Sequence, residues 1–263
     1  ESADSRLLKT TGKNMGESGV AAMATTYQKF DPAAYLQYNY VPPRADFERK
    51  DSIVPWKLAC LHRAFTEGDI SGGLLIDVGS GPTLYQVLSG CEVFSKVLLT
   101  DFLEVNRQEL KRWLQGEGSS LDWTPYIQYV CKLEGRSPSE WTEKAARLRE
   151  VVSDVLPIDV HRADCLVSCF CLESVSPDLD TFTKALGHIS KLLRPGGHLL
   201  LIGALQESYY FGGPGVKIPV VPLNEAQVCG SLQEQGFTLI RLEVYTLPSD
   251  MKIGVDDVTG CFL

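Results

Sequence analysis

Histidine is scarce in this 263-residue chain, with four residues scattered singly, and the eight cysteines show neither C-x-x-C pairs nor the spacing of a disulfide framework. A metal cluster and a disulfide-stapled fold are therefore both disfavoured. Several cysteines sit inside apolar runs, where a reduced, buried thiol is expected, which points to a cytosolic protein. No run of about 18 apolar residues occurs, so no membrane span is expected. The N-terminal stretch ESADSRLLKTTGKNMGESGV lacks the apolar core of a signal peptide. Positive charge is also short: 25 Lys and Arg stand against 33 Asp and Glu, a net charge of −8. Nucleic-acid binding needs clustered basic residues and is disfavoured. A small or cationic partner suits the balance better.

What remains is ordinary for a globular chain, with 44% hydrophobic and 22% charged residues. Residues 1–20 read as a mobile tail and 21–263 as one domain. Within it, 21–66 form an N-terminal, substrate-covering lid and 67–263 the sheet core. No internal repeat or interdomain linker is found. Leu74–Leu88, LLIDVGSGPTLYQVL, reads as a buried strand, a glycine turn and a helix. KVLLTDF is a second strand ending at Asp101, followed by the amphipathic helix EVNRQELKRWLQ. EWTEKAARLREVVSDVL reads as another helix, VLPIDVH as a third strand and DCLVSCFCLESV as a fourth. FTKALGHISKLLRPGGHLLLIGAL gives a helix, a turn and a fifth strand. NEAQVCGSLQEQGF is a helix capped by Asn224 and stopped by Gly236, and TLIRLEVYTLP and VTGCFL are the last strands. Alternating strands and helices mean a mainly parallel sheet covered on both faces. The final pair lacks a helical connection, which predicts an antiparallel element at one edge.

The glycine turn narrows the ligand. A dinucleotide fold uses G-x-G-x-x-G and places helix amides on a pyrophosphate. Here Gly79 and Gly81 match, Leu84 replaces the third glycine, Pro82 removes an amide and Asp77 brings a negative charge close. These features suit an adenosine ligand with a positive centre and no phosphate, such as S-adenosylmethionine. Asp101, about 20 residues beyond the turn, is placed to accept from both ribose hydroxyls, and Asp159 from the adenine amino group. Glu173, Glu207 and Asp256 are acids at strand ends that converge on one crevice if the last strand is reversed. Three carboxylates there would attract a cationic amine.

The segments IDVGSGP, TDF and LLRPGGHLLLIGAL resemble the class I S-adenosylmethionine-dependent methyltransferases, whose Rossmann-like sheet has seven strands, one of them reversed. YLQYNYVPPRADF, PWKL, TDFLEVNRQEL, FCLESVSPDL and GVDDVTG narrow the resemblance to the small-molecule amine N-methyltransferases, which act on nicotinamide, indolethylamines and phenylethanolamines. The likeness is greatest to the phenylethanolamine branch and runs from Tyr27 to the end. The resemblance implies cofactor contacts from Tyr27, Tyr35, Tyr40, Gly79, Ser80, Gly81, Thr83, Tyr85, Asp101, Phe102, Asn106, Asp159, Val160 and the backbone at Cys169. It implies that Glu173, Glu207 and Asp256 hold the amine and side-chain hydroxyl, with Asn39, Arg44, Lys57, Phe170, Tyr210 and Val258 around the acceptor. Glu173 is nominated as the proton acceptor, with Glu207 assisting. The expected reaction is of the noradrenaline-to-adrenaline type, leaves S-adenosylhomocysteine, and is carried out by a monomer or weak dimer.

One connection breaks the geometry. Asp159 would end the third strand while Leu166 is already inside the fourth, yet a parallel connection needs about a dozen residues. Residues are therefore expected to be missing near 161–164. The resemblance adds that the family's loop is longer there and that its last strand continues past Leu263.

Overall fold

The structure, a computed structural model, describes residues 19, 21–158, 162–252, 255 and 259–262, the last four by their backbone. Residues 21–27 are helical, and α1 (Pro32–Asn39) follows. Asp31 starts α1 by accepting from the Ala33 and Ala34 amides, with Pro32 at the first helical position. Helix α2 (Ile53–Glu67) buries Leu58, Leu61 and Phe65 and leaves Trp56 half-buried.

The sheet begins with β1 (Gly72–Val78) and β2 (Phe94–Thr100). Next come α3 (Glu104–Leu114), α4 (Thr124–Leu133), α5 (Trp141–Val151) and β3 (Val152–Leu156). β4 (Ala163–Cys169), α6 (Leu179–Ser190) and β5 (Leu193–Leu205) follow. A hairpin, β6 (Tyr209–Gly213) with β7 (Val216–Pro219), precedes α7 (Glu225–Glu234), β8 (Glu243–Thr246) and β9 (Thr259–Phe262). The main sheet runs β3-β2-β1-β4-β5-β9-β8. The first five strands pair in parallel, and β9 is antiparallel to both of its neighbours.

Alternate strand residues feed two cores, one on each face. Leu75, Val97, Val167 and Ile202 join the cluster packed with α2, α4 and α5. Ile76, Leu98, Leu166 and Leu201 join the cluster packed with α6 and α7. Two buried faces are why these strands read as unbroken apolar runs. The strand order reverses between β1 and β4, which opens a crevice beyond their carboxyl ends.

Three expectations need correction. No α-helix follows the glycine turn; two short 3₁₀ turns, Tyr85–Val87 and Gly90–Glu92, fill the space before β2. Pro82 withholds an amide, and at Gly90 a Cβ would lie 2.7 Å from Leu75, so the chain must pass close to the sheet. The helix read through residue 156 stops at Val151, and the β-branched run Val151-Val152 hands over to β3. The reversed strand is not at the edge: β9 inserts one position in, and β8 lies outside it. The Tyr209–Pro219 hairpin was not anticipated at all. β3 and β4 do have two strands between them, as the spacing argument assumed. His161, where the missing chain was expected to begin, lies outside the described residues, whereas Ala163 and Asp164 are seated in β4.

Candidate active site

The glycine turn is bound tightly to the sheet. Ser80 donates its amide to Thr100 O at 2.8 Å, and its hydroxyl accepts from Thr100 N at 3.2 Å. Gly79 has φ +72°, and a Cβ there would lie 2.1 Å from Cys171 Sγ, so the position admits only glycine. Asp101 Oδ2 accepts from Gly81 N at 2.7 Å, and Oδ1 accepts from Leu103 N at 2.8 Å and Asn106 Nδ2 at 3.1 Å. Each carboxylate oxygen can accept two bonds, so Oδ2 keeps a free lone pair. Burial raises the Asp101 pKa, and these three donors oppose the rise.

Around this turn lies a cavity of about 410 Å³. Its walls include Tyr27, Tyr35, Tyr40, Gly79, Ser80, Gly81, Thr83, Asp101, Phe102, Asn106 and Cys169. Of the expected cofactor residues, Tyr85 is not on the wall. It is fully buried beneath Tyr40 and Lys57, where aromatic packing holds it. Asp159 and Val160 lie outside the described residues. Sequence reading missed Met23, Phe30, Cys171 and Ile189, because apolar wall residues carry no pattern distinct from core residues, and it missed His188, which stands alone on the apolar helix α6.

Among the described residues no Lys or Arg lines this cavity. A pyrophosphate would find a carboxylate and no counter-charge there. Asp77 contributes less to that argument than the sequence implied. It is fully buried one layer behind the turn, where Gln86 donates to its Oδ2 at 2.7 Å, and burial pushes it up to about 7. Its Oδ1 has no hydrogen-bond partner among the described residues. A mainly apolar cavity with one carboxylate and no Lys or Arg on its described walls fits a phosphate-free adenosine ligand.

A smaller pocket of about 60 Å³ adjoins it, lined by Asn39, Arg44, Lys57, Phe170, Glu207 and Tyr210 together with Ile53, Ser174, Leu247 and Val255. Side chains must rotate to admit an aromatic ring. Tyr35, Tyr40, Phe170, Ser174 and Tyr210 line both spaces. Two of the elements that shape the pocket end in left-handed backbone, Phe170 at φ +53° after β4 and Gln206 at φ +63° after β5. Such conformations cost non-glycine residues energy and concentrate at functional sites. Arg44 donates to Met251 O at 3.0 Å and to Asn39 Oδ1, tying α1 to the turn before β9. Lys57 Nζ sits 4.8, 4.3 and 4.9 Å from the ring centres of Tyr40, Tyr85 and Phe170. It has no ion-pair partner among the described residues, and burial pushes its pKa down to about 7.

Of the three expected acids, two are among the described residues, and Glu207 alone of these lines the pocket. Glu207 is buried and faces the pocket. Glu173 is equally buried but lines neither space; its Oε1 accepts from Ala204 N at 2.9 Å, and burial pushes it up to about 7. An isolated carboxylate at a strand end finds a backbone donor on the neighbouring strand, a choice no sequence pattern records. Asp256 and Val258 lie outside the described residues.

Residues 17–263 match the NNMT/PNMT/TEMT family. The chain belongs to that family. Among its relatives, phenylethanolamine N-methyltransferase of Macaca mulatta is 51% identical over 93% of this chain and 91% of its own length. The Homo sapiens enzyme of the same name is 50% identical over 93% and 90%. Nicotinamide N-methyltransferase of Sus scrofa is more distant, at 39% over 87% and 89%. Among solved structures, magnesium protoporphyrin IX methyltransferase from Synechocystis PCC 6803 with bound SAM aligns with TM-score 0.53 over 93% of this chain and 96% of that one. At 12% identity that likeness carries the fold alone. The family member described here has no helix among its described residues long and apolar enough to cross a membrane.

Proposed function

We propose that this chain transfers a methyl group from S-adenosylmethionine to the primary amine of phenylethanolamines. The observation that carries the reading is the common wall between the two spaces. Tyr35, Tyr40, Phe170, Ser174 and Tyr210 separate a phosphate-averse adenosine cavity from an acid-bearing pocket beside it. Identity near 50% with phenylethanolamine N-methyltransferases, against 39% with a nicotinamide enzyme, supports the choice of substrate. Asp101 holds the ribose end of the cofactor, and the Gly79–Gly81 turn lets backbone approach it. Bound S-adenosylmethionine supplies an electrophilic methyl group.

The protein's own part is alignment, dehydration and proton control. Tyr27, Tyr35 and Tyr40 cover the reacting space and exclude water. Holding the nitrogen in line with the methyl–sulfur bond replaces a bimolecular encounter and supplies much of the acceleration. Glu207 is the acid that meets the ammonium. The nitrogen must shed a proton before attack, and Glu207 takes it, directly or through water, although an acceptor with a pKa near neutrality is best suited. Glu173 is tuned for that task but faces β5, so in this conformation it supports the strand that carries Glu207. Residues 21–66 act as the lid of a single cytosolic domain, working as a monomer or weak dimer.

Two measurements test the reading. Turnover should be highest with noradrenaline or octopamine and much lower with nicotinamide or tryptamine; preferential methylation of nicotinamide would overturn the phenylethanolamine assignment. Glu207→Gln should lower kcat/KM by about 100-fold, within the range for losing a charged hydrogen bond and proton control. Glu173→Gln, which keeps an acceptor for Ala204 N, should lose far less. An equal loss in both would restore Glu173 to the reaction itself.

A further inference from the structure

The N-terminal helical segment and the β6–β7 hairpin meet at a pair of phenols. Tyr27 Oη lies 3.0 Å from the Ser174 carbonyl oxygen and 3.0 Å from Tyr210 Oη. A phenol has one proton to give, and a carbonyl can only accept. Tyr27 therefore donates to Ser174, and its contact with Tyr210 has one polarity left: Tyr210 donates and Tyr27 accepts. The electrostatics agree in sign, since this bond raises the pKa of Tyr210 and lowers that of Tyr27. The polarity survives any exchange of Ser174 for another acceptor, because Tyr27 still gives its only proton away. With its own proton committed, Tyr210 Oη has only lone pairs to offer.

Tyr210 lines the amine pocket as well as the adenosine cavity, whereas Tyr27 lines the adenosine cavity alone. We infer that Tyr27 is a positioning residue for the amine, which it never touches: it locks the Tyr210 hydroxyl as an obligate acceptor for a substrate N–H. The inference rests on the amine-methyltransferase reading above and deepens it. Tyr210 then orients the substrate as well as walling its ring. Any ligand contact that orders Tyr27 on the cofactor side also orders the acceptor on the amine side, and linkage makes that coupling reciprocal.

The test compares wild type with Y27F, Y210F and the double variant. Phenylalanine keeps the rings, including the edge-on packing of Tyr210 against Tyr35 at 6.0 Å. At saturating S-adenosylmethionine, Y27F and Y210F should each raise the KM for a primary phenylethanolamine about 3- to 10-fold, the range for one net hydrogen bond. The double variant should be no worse than Y210F, because the two changes remove one device. Inhibition by the trimethylammonium analogue of the substrate, which has no N–H, should be unchanged in Y27F. A wild-type KM in Y27F, multiplicative losses in the double variant, or equal weakening of the trimethylammonium analogue would each overturn the inference. Wild-type protein that methylates no phenylethanolamine would overturn the function reading itself.

Discussion

Asp101 shows how much a single side chain is asked to do. It bonds the Gly81 and Leu103 amides and the Asn106 amide group, so it shapes the turn as well as offering a lone pair to a ligand. Asp101→Asn should weaken S-adenosylhomocysteine about 10- to 100-fold in calorimetry, as expected for losing charge-assisted bonds. Lys57 makes a prediction of a different kind. Burial among three rings holds its folded pKa near 7, below the ordinary 10.5. The unfolded chain therefore binds more protons than the folded one between those values, and stability rises with pH across that window. Lys57→Met should raise Tm most below pH 7, with the gain fading as pH climbs toward 10. A gain independent of pH would mean that Lys57 is charged in the folded protein. The identity of these residues could be read from the chain, but their surroundings could not. Nothing local distinguishes Glu207, which faces the pocket, from Glu173, which faces a backbone amide on β5.

At the scale of elements, the β1 strand and its turn act as one unit. Gly79→Ala would drive a Cβ into Cys171 and strain a φ of +72°. A cost of about 1–3 kcal/mol is expected for such a residue, read as a Tm lowered by roughly 2–10 °C. Adding Cys171→Ala should recover only the steric part, because the backbone strain remains. The long periodic segments were legible: α3, α6 and α7 lie where their spacing puts them, and Asn224 caps α7 as its position implied. Elements that depend on distant partners were not. The 3₁₀ turns before β2 exist because Gly90 must pass Leu75 and Phe65. The β6–β7 hairpin is anchored by Gly212 O, which accepts from Asp31 N at 2.9 Å. A single strand of TLIRLEVYTLP survives as Glu243–Thr246, where β9 is available to pair.

For the whole molecule, the N-terminal segment, the sheet and the hairpin meet at the tyrosines that line both spaces, so a ligand held there is coupled to the fold. S-adenosylhomocysteine at about a hundred times its Kd should stabilise the protein by about 2.7 kcal/mol and raise Tm by roughly 5–10 °C. No shift at saturating ligand would remove the cofactor assignment. The sequence by itself determined the class of sheet, the glycine turn, the phosphate-free cofactor and the family, because these reside in local spacing and in residue types that the backbone geometry demands. Only the tertiary structure decided that Glu207 lines the smaller pocket while Glu173 accepts from Ala204, that β9 enters between β5 and β8, and that Tyr27 and Tyr210 share one bond. Those outcomes depend on which groups from distant segments compete for the same buried donors, and a linear pattern contains no record of that competition.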